Sequence, residues 1–480
     1  MTPPLGPEIG GILIKLTGIN FGSSGVVTMG TNFSQIPTSG WTDSEIQFTL
    51  PPGQGTNVPI IVNSGGQSSA PASFVYFRPA ITNVSPATGP TAGGSTITLN
   101  GQYFGTNGTV TFGGNFVPVA ATNWSDTQLR FTLPAGQGTN VSIVVTSGGQ
   151  VSAPASFSYF VPGITGMSPL TGPTTGGAMI TLTGTNFGTS GVVMFDQTMV
   201  FVVATNWTDT QIRFTLPAGQ GANIPIAVLT GGQISAPTNF SYFGPGIASV
   251  NPPTGPTAGG TTITLTGTNF GTSGALTFNG NIVLVAATNW SDSQIRFLLP
   301  QGQGTNQPIV VLTAGQSSPA ASFNYAAPVI TLINPTSAPT AGSAVLTITG
   351  SNFGASGTVK VGNKPATTVF PGSGWSHTQI SCLIPSGSGE SLPVVVTVAG
   401  QASNPFYFSY LRPTLTIMRA GSGVVLAWPT NAPDYWPEES TSLSGLPWSF
   451  IPQGRSINGA EYNSVVPVAP TNTFFRLRQL

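Results

Sequence analysis

Short stretches of alternating polar and apolar residues recur along the chain, and each is cut off by glycine, proline, asparagine or serine. In residues 128–133, Leu129, Phe131 and Leu133 alternate with polar residues, which is the period of a half-buried β-strand. Runs with the 3.6-residue period of a helix are missing, and Val, Ile, Thr and Phe dominate the apolar positions. The pattern predicts an all-β protein built of short strands.

The same pattern returns with a period of 83 residues, which is the strongest signal in the sequence. An Asn/Tyr-Phe-Gly motif and, further on, one tryptophan mark each copy, and the tryptophans are Trp41, Trp124, Trp207, Trp290 and Trp375. The period divides the chain into five repeats, residues 1–78, 79–161, 162–244, 245–327 and 328–412. A segment without this period, residues 413–480, ends the chain.

One repeat reads as about seven short strands with a turn signal every 8 to 12 residues, which is typical of a small immunoglobulin-like sandwich. No flexible linker separates the copies, because residues 156–164 pass from one last strand into the next first strand. Pro162 restricts the backbone at that junction. We therefore expect five β-sandwiches in a semi-rigid rod, followed by a small C-terminal β-domain.

Several motifs that recur in order in the repeats identify a family resemblance. Pro-x-x-Gly-Pro-x-x-Gly-Gly is followed by Ile-Thr-Leu-x-Gly-x-Asn-Phe-Gly, then by Trp-Ser-Asp-x-Gln-Ile and a Gly-Gly-Gln hairpin. This series resembles IPT/TIG immunoglobulin-like domains. The resemblance implies a fold rather than an activity, since such domains occur in cell-surface receptors, transcription factors, starch-active enzymes and bacterial surface proteins.

Composition and charge exclude several classes of protein. Twelve basic and twelve acidic residues make up only 5% of the 480 residues, so no basic face is available for nucleic acid. No apolar stretch reaches the length of a membrane-spanning helix, and a single Cys cannot form an intrachain disulfide. Richness in Thr, Ser, Asn and Gln indicates an extracellular or cell-surface protein, whose export signal is not in this sequence.

No catalytic, cofactor or metal site emerges from the residue pattern. His377 and Cys382 stand at register positions that other repeats fill with Asp126 and Phe131, so they are interpreted as structural replacements rather than a nucleophile and its base. An ion pair from Asp126 to Arg130, with counterparts in two further repeats, is predicted to tie a turn to the next strand. The chain is predicted not to be an enzyme and to use no cofactor.

The tryptophans admit two interpretations. The five in the repeats are interpreted as structural positions that pack beside an Asn-Trp-Ser-Asp turn, with sugar stacking as the alternative. In residues 413–480, Trp428 and Trp448 are less regular and are candidate glycan-stacking residues. This segment also resembles a module at the ends of large secreted proteins of environmental bacteria, through Leu-Ala-Trp-Pro at 426–429, Trp448 and Phe-Phe-Arg-Leu-Arg at 474–478. That resemblance implies export or surface attachment.

The first repeat begins late in the register, because Pro3 corresponds to Pro86 and most of a first strand has no counterpart. A sandwich without that strand exposes an unpaired edge, which either upstream residues or another copy of the chain can fill. The candidate self-assembly edge is Pro3, Pro4, Ile12 and Ile14.

Two functions therefore compete at this point. The first is an extracellular structural or adhesive protein, a self-assembling surface filament or stalk subunit joined head to tail through the edge of repeat 1. The alternative is an array of carbohydrate- or matrix-binding modules, ancillary to a larger secreted enzyme. The expected partners are other copies of the chain or a polysaccharide, without nucleic acid or a membrane span.

Overall fold

A computed structural model describes residues 1–31, 34–368, 374–444, 447–451, 454–467 and 472–479. The protein divides into two compact units. The first unit comprises Met1–Ala218 and Ala222–Tyr242, and the second comprises Gly219–Gly221 and Phe243–Leu480. The predicted all-β fold is confirmed: within these ranges the elements are short strands, with three one-turn 3₁₀ helices. No helix in the described part of the chain is both long and apolar enough to cross a membrane.

Repeat 2 shows the complete arrangement, a three-stranded sheet packed on a six-stranded sheet. The three-stranded sheet has the order Ala80–Ser85, Thr96–Gln102, Gln128–Thr132. The path of the six-stranded sheet is Thr88–Gly89, Ala155–Tyr159, Val141–Ser147, Thr109–Phe112, Asn115–Val117, and Gln150–Val151 pairs with Val141–Ser147. The first pair on this path is parallel, and the 3₁₀ turn Ala121–Asn123 precedes the repeat tryptophan.

Repeats 3 and 4 reproduce this topology. The elements of repeat 3 are Gly163–Ser168, Thr171–Gly172, Met179–Thr185, Val192–Phe195, Thr198–Phe201, the 3₁₀ turn Ala204–Asn206, Gln211–Thr215, Ile224–Thr230, Gln233–Ile234 and Thr238–Tyr242. Those of repeat 4 are Gly246–Asn251, Thr254–Gly255, Thr262–Thr268, Ala275–Phe278, Asn281–Val283, the 3₁₀ turn Ala287–Asn289, Gln294–Leu298, Gln307–Thr313, Gln316–Ser317 and Ala321–Tyr325.

Repeat 5 merges its two sheets into one of nine strands. Its strands are Val329–Asn334, Ser337–Ala338, Val345–Ser351, Thr358–Val361, Lys364–Thr368, Gln379–Leu383, Leu392–Val398, Gln401–Ala402 and Phe406–Tyr410. The link is the longer strand Lys364–Thr368, which pairs both with Thr358–Val361 and with Gln379–Leu383.

Repeat 1 lacks the first strand of the three-stranded sheet. Its strands are Leu5–Gly6, Leu13–Thr17, Val26–Met29, Ser34–Ile36, Thr38–Trp41, Glu45–Thr49, Val58–Ser64, Gln67–Ser68 and Ala72–Tyr76. Leu13–Thr17 lies at the edge of its sheet, next to Glu45–Thr49, whereas the equivalent strand of repeats 2 to 4 is the central one of three. A single bridge between Thr2 and Lys15 is the contact on its open side.

Each repeat has its own core, formed by the inward positions of both sheets. The phenylalanine of the Asn/Tyr-Phe-Gly motif is fully buried in repeats 2 to 5, as Phe104, Phe187, Phe270 and Phe353. A tyrosine at the end of each last strand closes the core, and the Tyr159 hydroxyl donates to the Pro134 carbonyl oxygen at 2.7 Å. Alternation with a period of two places the strand residues of each core inside, whereas the motif phenylalanine enters the core from the loop that follows a strand.

The C-terminal domain has two small sheets and a separate core. One sheet has the order Thr416–Ala420, Gly423–Pro429, Glu461–Pro467, Ser456–Asn458. The other has the order Ser449–Phe450, Tyr435–Ser440, Phe474–Gln479. The predicted C-terminal β-domain is thus present.

Candidate functional site at the repeat joints and the first-repeat edge

The repeat tryptophan is held within its own sandwich. The indole Nε1 of Trp124 donates to the Phe104 carbonyl oxygen at 3.1 Å, and the same bond is present in the other four repeats. The ring lies on Gly108, where an added Cβ would come within 2.8 Å of it. A larger residue at that glycine would displace the indole, so the glycine and the tryptophan form one packing unit.

The aspartate after the tryptophan caps the Phe-Gly loop and does not form the predicted ion pair. Asp126 Oδ1 accepts a hydrogen bond from the Gly105 N–H at 3.0 Å, and Asp209 does the same for Gly188. None of the salt bridges among the described residues joins Asp126 to Arg130. The ion-pair prediction is wrong because the carboxylate turns toward the loop while Arg130 remains exposed on its strand.

Within each unit, successive repeats are joined by hydrogen bonds at equivalent positions. The hairpin glutamine of one repeat donates to the carbonyl oxygen of the last-strand tyrosine of the repeat before it. The bonds are Gln150 Nε2 to Tyr76 O at 3.0 Å, Gln233 Nε2 to Tyr159 O at 3.1 Å and Gln401 Nε2 to Tyr325 O at 3.2 Å. Consecutive repeats are therefore docked on each other rather than loosely linked.

In a second contact at the joints, the Phe-Gly loop of one repeat donates to the glutamine side chain of a Gly-Gln-Gly loop in the repeat before it. Gln137 Oε1 accepts from the Thr189 N–H at 3.0 Å, and Gln303 Oε1 accepts from the Ala355 N–H at 3.0 Å. A Cβ on Gly188 would lie 2.2 Å from Gln137 Oε1. The glycine of the Phe-Gly motif is thus required by the neighbouring repeat as well as by its positive φ of 68°.

The third contact pairs a buried threonine with the capping residue of the next repeat. The Thr91 hydroxyl donates to Asp209, and the Thr257 hydroxyl lies 2.9 Å from His377 Nδ1. His377 therefore belongs to a joint, at the register position of the capping aspartate. In the last joint, the Thr340 hydroxyl donates to Asn431 Oδ1 of the C-terminal domain at 2.9 Å.

The joint between repeats 1 and 2 differs, because Glu8 occupies the threonine position. Its side chain is 3% exposed, and Ser147 Oγ lies 3.2 Å from its Oε2. Burial raises the pKa of Glu8 to about 7; the hydrogen bond from Ser147 lowers it, and the Asp126 charge raises it further. A carboxyl group thus stands near the capping carboxylate, where the joints between repeats 2 and 3 and between repeats 4 and 5 have a hydroxyl group.

The open edge of repeat 1 runs along residues 16–19. In repeat 2, the first strand covers the equivalent positions and buries Phe104, whereas Phe21 is only half-buried. The backbone N–H and C=O of Lys15 both form hydrogen bonds with Thr2 on the open side of the strand. Thr17 lies two residues further along the strand, so its N–H and C=O groups point to the same side. Ile19 is 80% exposed at this edge, where the other repeats have Gln, Thr or Ser.

The candidate edge residues named from the sequence are placed as follows. Pro3 is half-buried and Pro4 is exposed, next to the Thr2–Lys15 bridge. Ile12 is half-buried, and the Ile14 side chain is fully buried in the core.

The C-terminal domain separates its two candidate stacking residues. Trp428 is fully buried against Tyr462, with ring centroids 5.6 Å apart, so it cannot present a face to a sugar. That candidate is corrected: its strand lies between two others, and its side chain faces the domain core. Trp448 is half-buried, and the Arg476 guanidinium lies 4.2 Å from the centre of its ring.

A buried carboxylate organises the same part of the C-terminal domain. Glu438 accepts from Arg476 Nε at 2.9 Å and from Arg478 Nη1 at 3.0 Å. Burial raises the pKa of Glu438, but the hydrogen bonds and charges of the two arginines outweigh burial and hold it below the ordinary value. Glu438 is thereby a structural anion rather than half of an acid–base pair.

Cys382 is fully buried in repeat 5, and burial raises the pKa of its thiol to about 12. It is therefore poorly suited to act as a nucleophile. Within the ranges that the structure describes, no group of three or more His, Cys, Asp and Glu side chains converges. Besides the Glu438 cluster of the C-terminal domain, the polar clusters described above lie at the repeat joints, where the residue pattern gave no prediction.

The chain is similar to parts of much larger proteins and to solved immunoglobulin-like folds. It is 28% identical over 306 residues to mouse (Mus musculus) fibrocystin-L, covering 60% of this chain but only 7% of that protein. A crystal structure determined with a xylogluco-oligosaccharide has 19% identity and a TM-score of 0.30, covering 56% of this chain and 69% of the other. The surface glycan-binding protein PbSGBP-B from Prevotella bryantii has 16% identity and a TM-score of 0.23, over 35% and 46% respectively. The likeness to these two structures concerns the fold alone.

The family follows from the repeats themselves. The sequence profile of the IPT/TIG domain matches residues 1–76, 79–159, 162–242, 245–325 and 328–410. These segments are the sandwiches whose cores and joints are described above, and together they cover most of the chain. This protein therefore belongs to the IPT/TIG domain family.

Proposed function

We propose that this chain is a non-catalytic structural and adhesive repeat protein, located outside the cell or on its surface, whose copies associate head to tail through the edge of repeat 1. The observation that carries the proposal is the open edge at residues 16–19. It combines unpaired backbone groups at Thr17 with the exposed Ile19, and an unpaired strand edge is a template for an incoming strand.

The docking of repeats within each unit supports a structural role. Three kinds of hydrogen bond recur at the joints, and they use side chains at the same register positions each time. An array of independent binding modules does not need such joints. A spacer or filament subunit needs them, because it must hold its modules in a defined orientation.

Exposed apolar side chains on a second edge also support association. The outermost strands of the six-stranded sheets carry Phe116 in repeat 2, Phe201 in repeat 3 and Ile282 in repeat 4, all exposed. Leu284, which follows the last of these strands, is 93% exposed. With only 5% charged residues, the surface offers little electrostatic repulsion between copies.

Electron microscopy of the purified chain in neutral low-salt buffer tests the proposal. We expect filaments with a regular axial repeat, and we expect them to be lost in Thr17→Pro, which removes the N–H group an incoming strand would use. Ile19→Gln, which installs the residue found at Gln102 of repeat 2, is the milder variant and should weaken assembly.

Thr17→Ser keeps the backbone N–H group and is the matched control, so it should assemble like the unaltered chain. Circular dichroism of each variant separates lost assembly from lost folding. Monomeric particles of the unaltered chain at high concentration, or filaments that survive Thr17→Pro in a folded chain, would overturn the proposal.

A second candidate function, polysaccharide binding by the C-terminal domain, is favoured by three aromatic rings that are not fully buried. Trp448 is half-buried, and the ring of the half-buried Trp436 lies 5.3 Å from that of the exposed Phe450. Retardation of the chain in gels containing a soluble polysaccharide measures such binding. Loss of retardation in Trp448→Ala but not in Ile457→Ala, at an exposed aliphatic residue of the same domain, would support this function.

A further inference from the structure

At the joint between repeats 1 and 2, three acceptor oxygens surround one hydroxyl group. Ser147 Oγ lies 3.2 Å from Glu8 Oε2, 2.9 Å from Gln54 Oε1 and 3.4 Å from the Asn107 carbonyl oxygen. A hydroxyl group has one hydrogen to donate, so it can satisfy only one of these three acceptors. The other two acceptors then need another donor or a cation.

The Glu8 carboxylate is one of these acceptors, and its burial is energetically unfavourable. Its Oε1 is buried and has no hydrogen-bond partner, and the side chain is 3% exposed. A buried charged group without a partner is strongly unfavourable unless a proton or a counter-ion neutralises it. Among the described residues, no Lys or Arg forms a salt bridge with Glu8.

Glu8 and the capping carboxylate of repeat 2 line one cleft of about 490 Å³, together with Gln54, Gly105 and Trp124. Asp126 uses Oδ1 to accept from the Gly105 N–H. A Cβ on Gly105 would lie 2.3 Å from Glu8 Oε2 and 3.0 Å from Gln54 Oε1, so these oxygens gather around one backbone position. Two carboxylates and an amide group thus line one cleft, whereas the joints between repeats 2 and 3 and between repeats 4 and 5 have a hydroxyl group and one capping residue at these positions.

We propose that this cleft binds one Ca²⁺ ion, held by the Glu8 and Asp126 carboxylates and Gln54 Oε1, and that the ion locks repeat 2 onto repeat 1. Calcium fits this donor set because it binds carboxylate, amide and water oxygens in flexible geometry. All three protein groups proposed as ligands offer oxygen atoms. The remaining coordination positions fall to water, since the cleft opens to solvent.

The joint between repeats 2 and 3 does not need a cation, unlike the joint between repeats 1 and 2. There Thr91 replaces the glutamate and donates its hydroxyl to Asp209, which satisfies both groups without an ion. The site therefore depends on Glu8, which stands where repeat 2 has Thr91. Calcium binding at this joint does not require the proposed head-to-tail assembly.

Terbium luminescence and calorimetric Ca²⁺ titration of the full chain test the site. Trp124 lines the cleft, so it is placed to sensitise a bound Tb³⁺ ion, and Ca²⁺ should compete for the signal. We expect one site per chain, with a dissociation constant of about 10⁻⁴ to 10⁻³ M, as for extracellular calcium modules. Glu8→Thr installs the residue of repeat 2 and should weaken binding at least about tenfold, which corresponds to about 1.4 kcal/mol.

Asp209→Asn is the matched control, because it changes a capping aspartate that faces Thr91 rather than a second carboxylate. It should leave Ca²⁺ affinity unchanged, whereas Asp126→Asn should reduce it. Equal Ca²⁺ binding by the unaltered chain and a folded Glu8→Thr variant would overturn the proposal. An unaltered chain that binds no Ca²⁺ at pH 7.5 would also overturn it.

Discussion

The indole Nε1 of Trp207 donates a hydrogen bond to the carbonyl oxygen of Phe187 at 3.0 Å, and both side chains are buried in repeat 3. The bond fastens the loop that carries the Phe-Gly motif to the turn that carries the tryptophan. Asp209 caps the same loop. Trp207 and Asp209 together therefore hold the surface of repeat 3 that contacts repeat 2.

Replacing Trp207 with Phe should destabilise repeat 3, because the buried Phe187 carbonyl oxygen loses its donor. The expected loss is about 1–3 kcal/mol in the free energy of unfolding. Hydrogen exchange of the repeat 3 amides, measured by mass spectrometry, localises the effect. Trp448→Phe, at a half-buried tryptophan of the C-terminal domain, should leave those amides unchanged.

Gly191→Ala should be harmful for a related reason. An added Cβ would meet the Leu229 carbonyl oxygen at 2.4 Å and the Trp207 ring at 2.8 Å, so backbone and indole must move apart. Overpacking of this kind costs roughly 1–3 kcal/mol. Gly163→Ala is the control, because its nearest heavy atom would be Thr185 Oγ1 at 3.5 Å. Comparable thermal unfolding of the two variants would contradict the prediction.

Gln137→Ala should loosen the joint between repeats 2 and 3 without unfolding either repeat. The change removes the acceptor of the Thr189 and Ser190 N–H groups, so those amides should exchange faster with solvent. Limited proteolysis should also cut the Phe-Gly loop of repeat 3 sooner. Gln102→Ala, at an exposed glutamine of repeat 2, should change neither measurement.

In buffer without divalent cations, the joint between repeats 1 and 2 should become less stable as the pH rises from about 4.5 to about 7. The folded pKa of Glu8 lies above its unfolded value, so folding binds a proton in this window and stability falls as the proton is lost. The groups acting on Glu8 are Ser147 and the Asp126 charge. Burial raises the pKa of the neighbouring Tyr76, and the Glu8 charge adds to that increase.

The expected decrease is on the order of 1–3 kcal/mol across that window. Hydrogen exchange of the amides around Gly105 at several pH values, corrected for the intrinsic rate, measures it. Glu8→Thr should flatten the profile. A pH dependence that persists in this variant would assign the effect to another group.

Cys382 should react very slowly with a thiol reagent such as DTNB while the protein is folded. Its side chain is fully buried and its pKa is raised to about 12, so the thiolate is both scarce and inaccessible at pH 8. Reaction should become fast and stoichiometric in denaturant. Rapid labelling of the native chain would show that repeat 5 opens readily.

Two features of the sequence point to the joints. The Gly-Gln-Gly loop recurs around Gln54, Gln137, Gln220 and Gln303, although glutamine has no special turn propensity that would explain its position. Likewise, Glu8 breaks a register of threonines. Neither feature can be assigned a partner without knowing which loops of adjacent repeats meet.

The sequence by itself determined the all-β class, the five repeats and the tryptophan register, because alternation and period are local properties of a chain. Only the tertiary structure decided how polar residues are used. Thr91 and Asp209 are 118 residues apart yet share a hydrogen bond, while Trp428 is enclosed by strands from both sides. The sequence does not distinguish a threonine that lies at a joint from one that is exposed to solvent. The difference is that the first is buried against another repeat, and burial is a property of the tertiary structure.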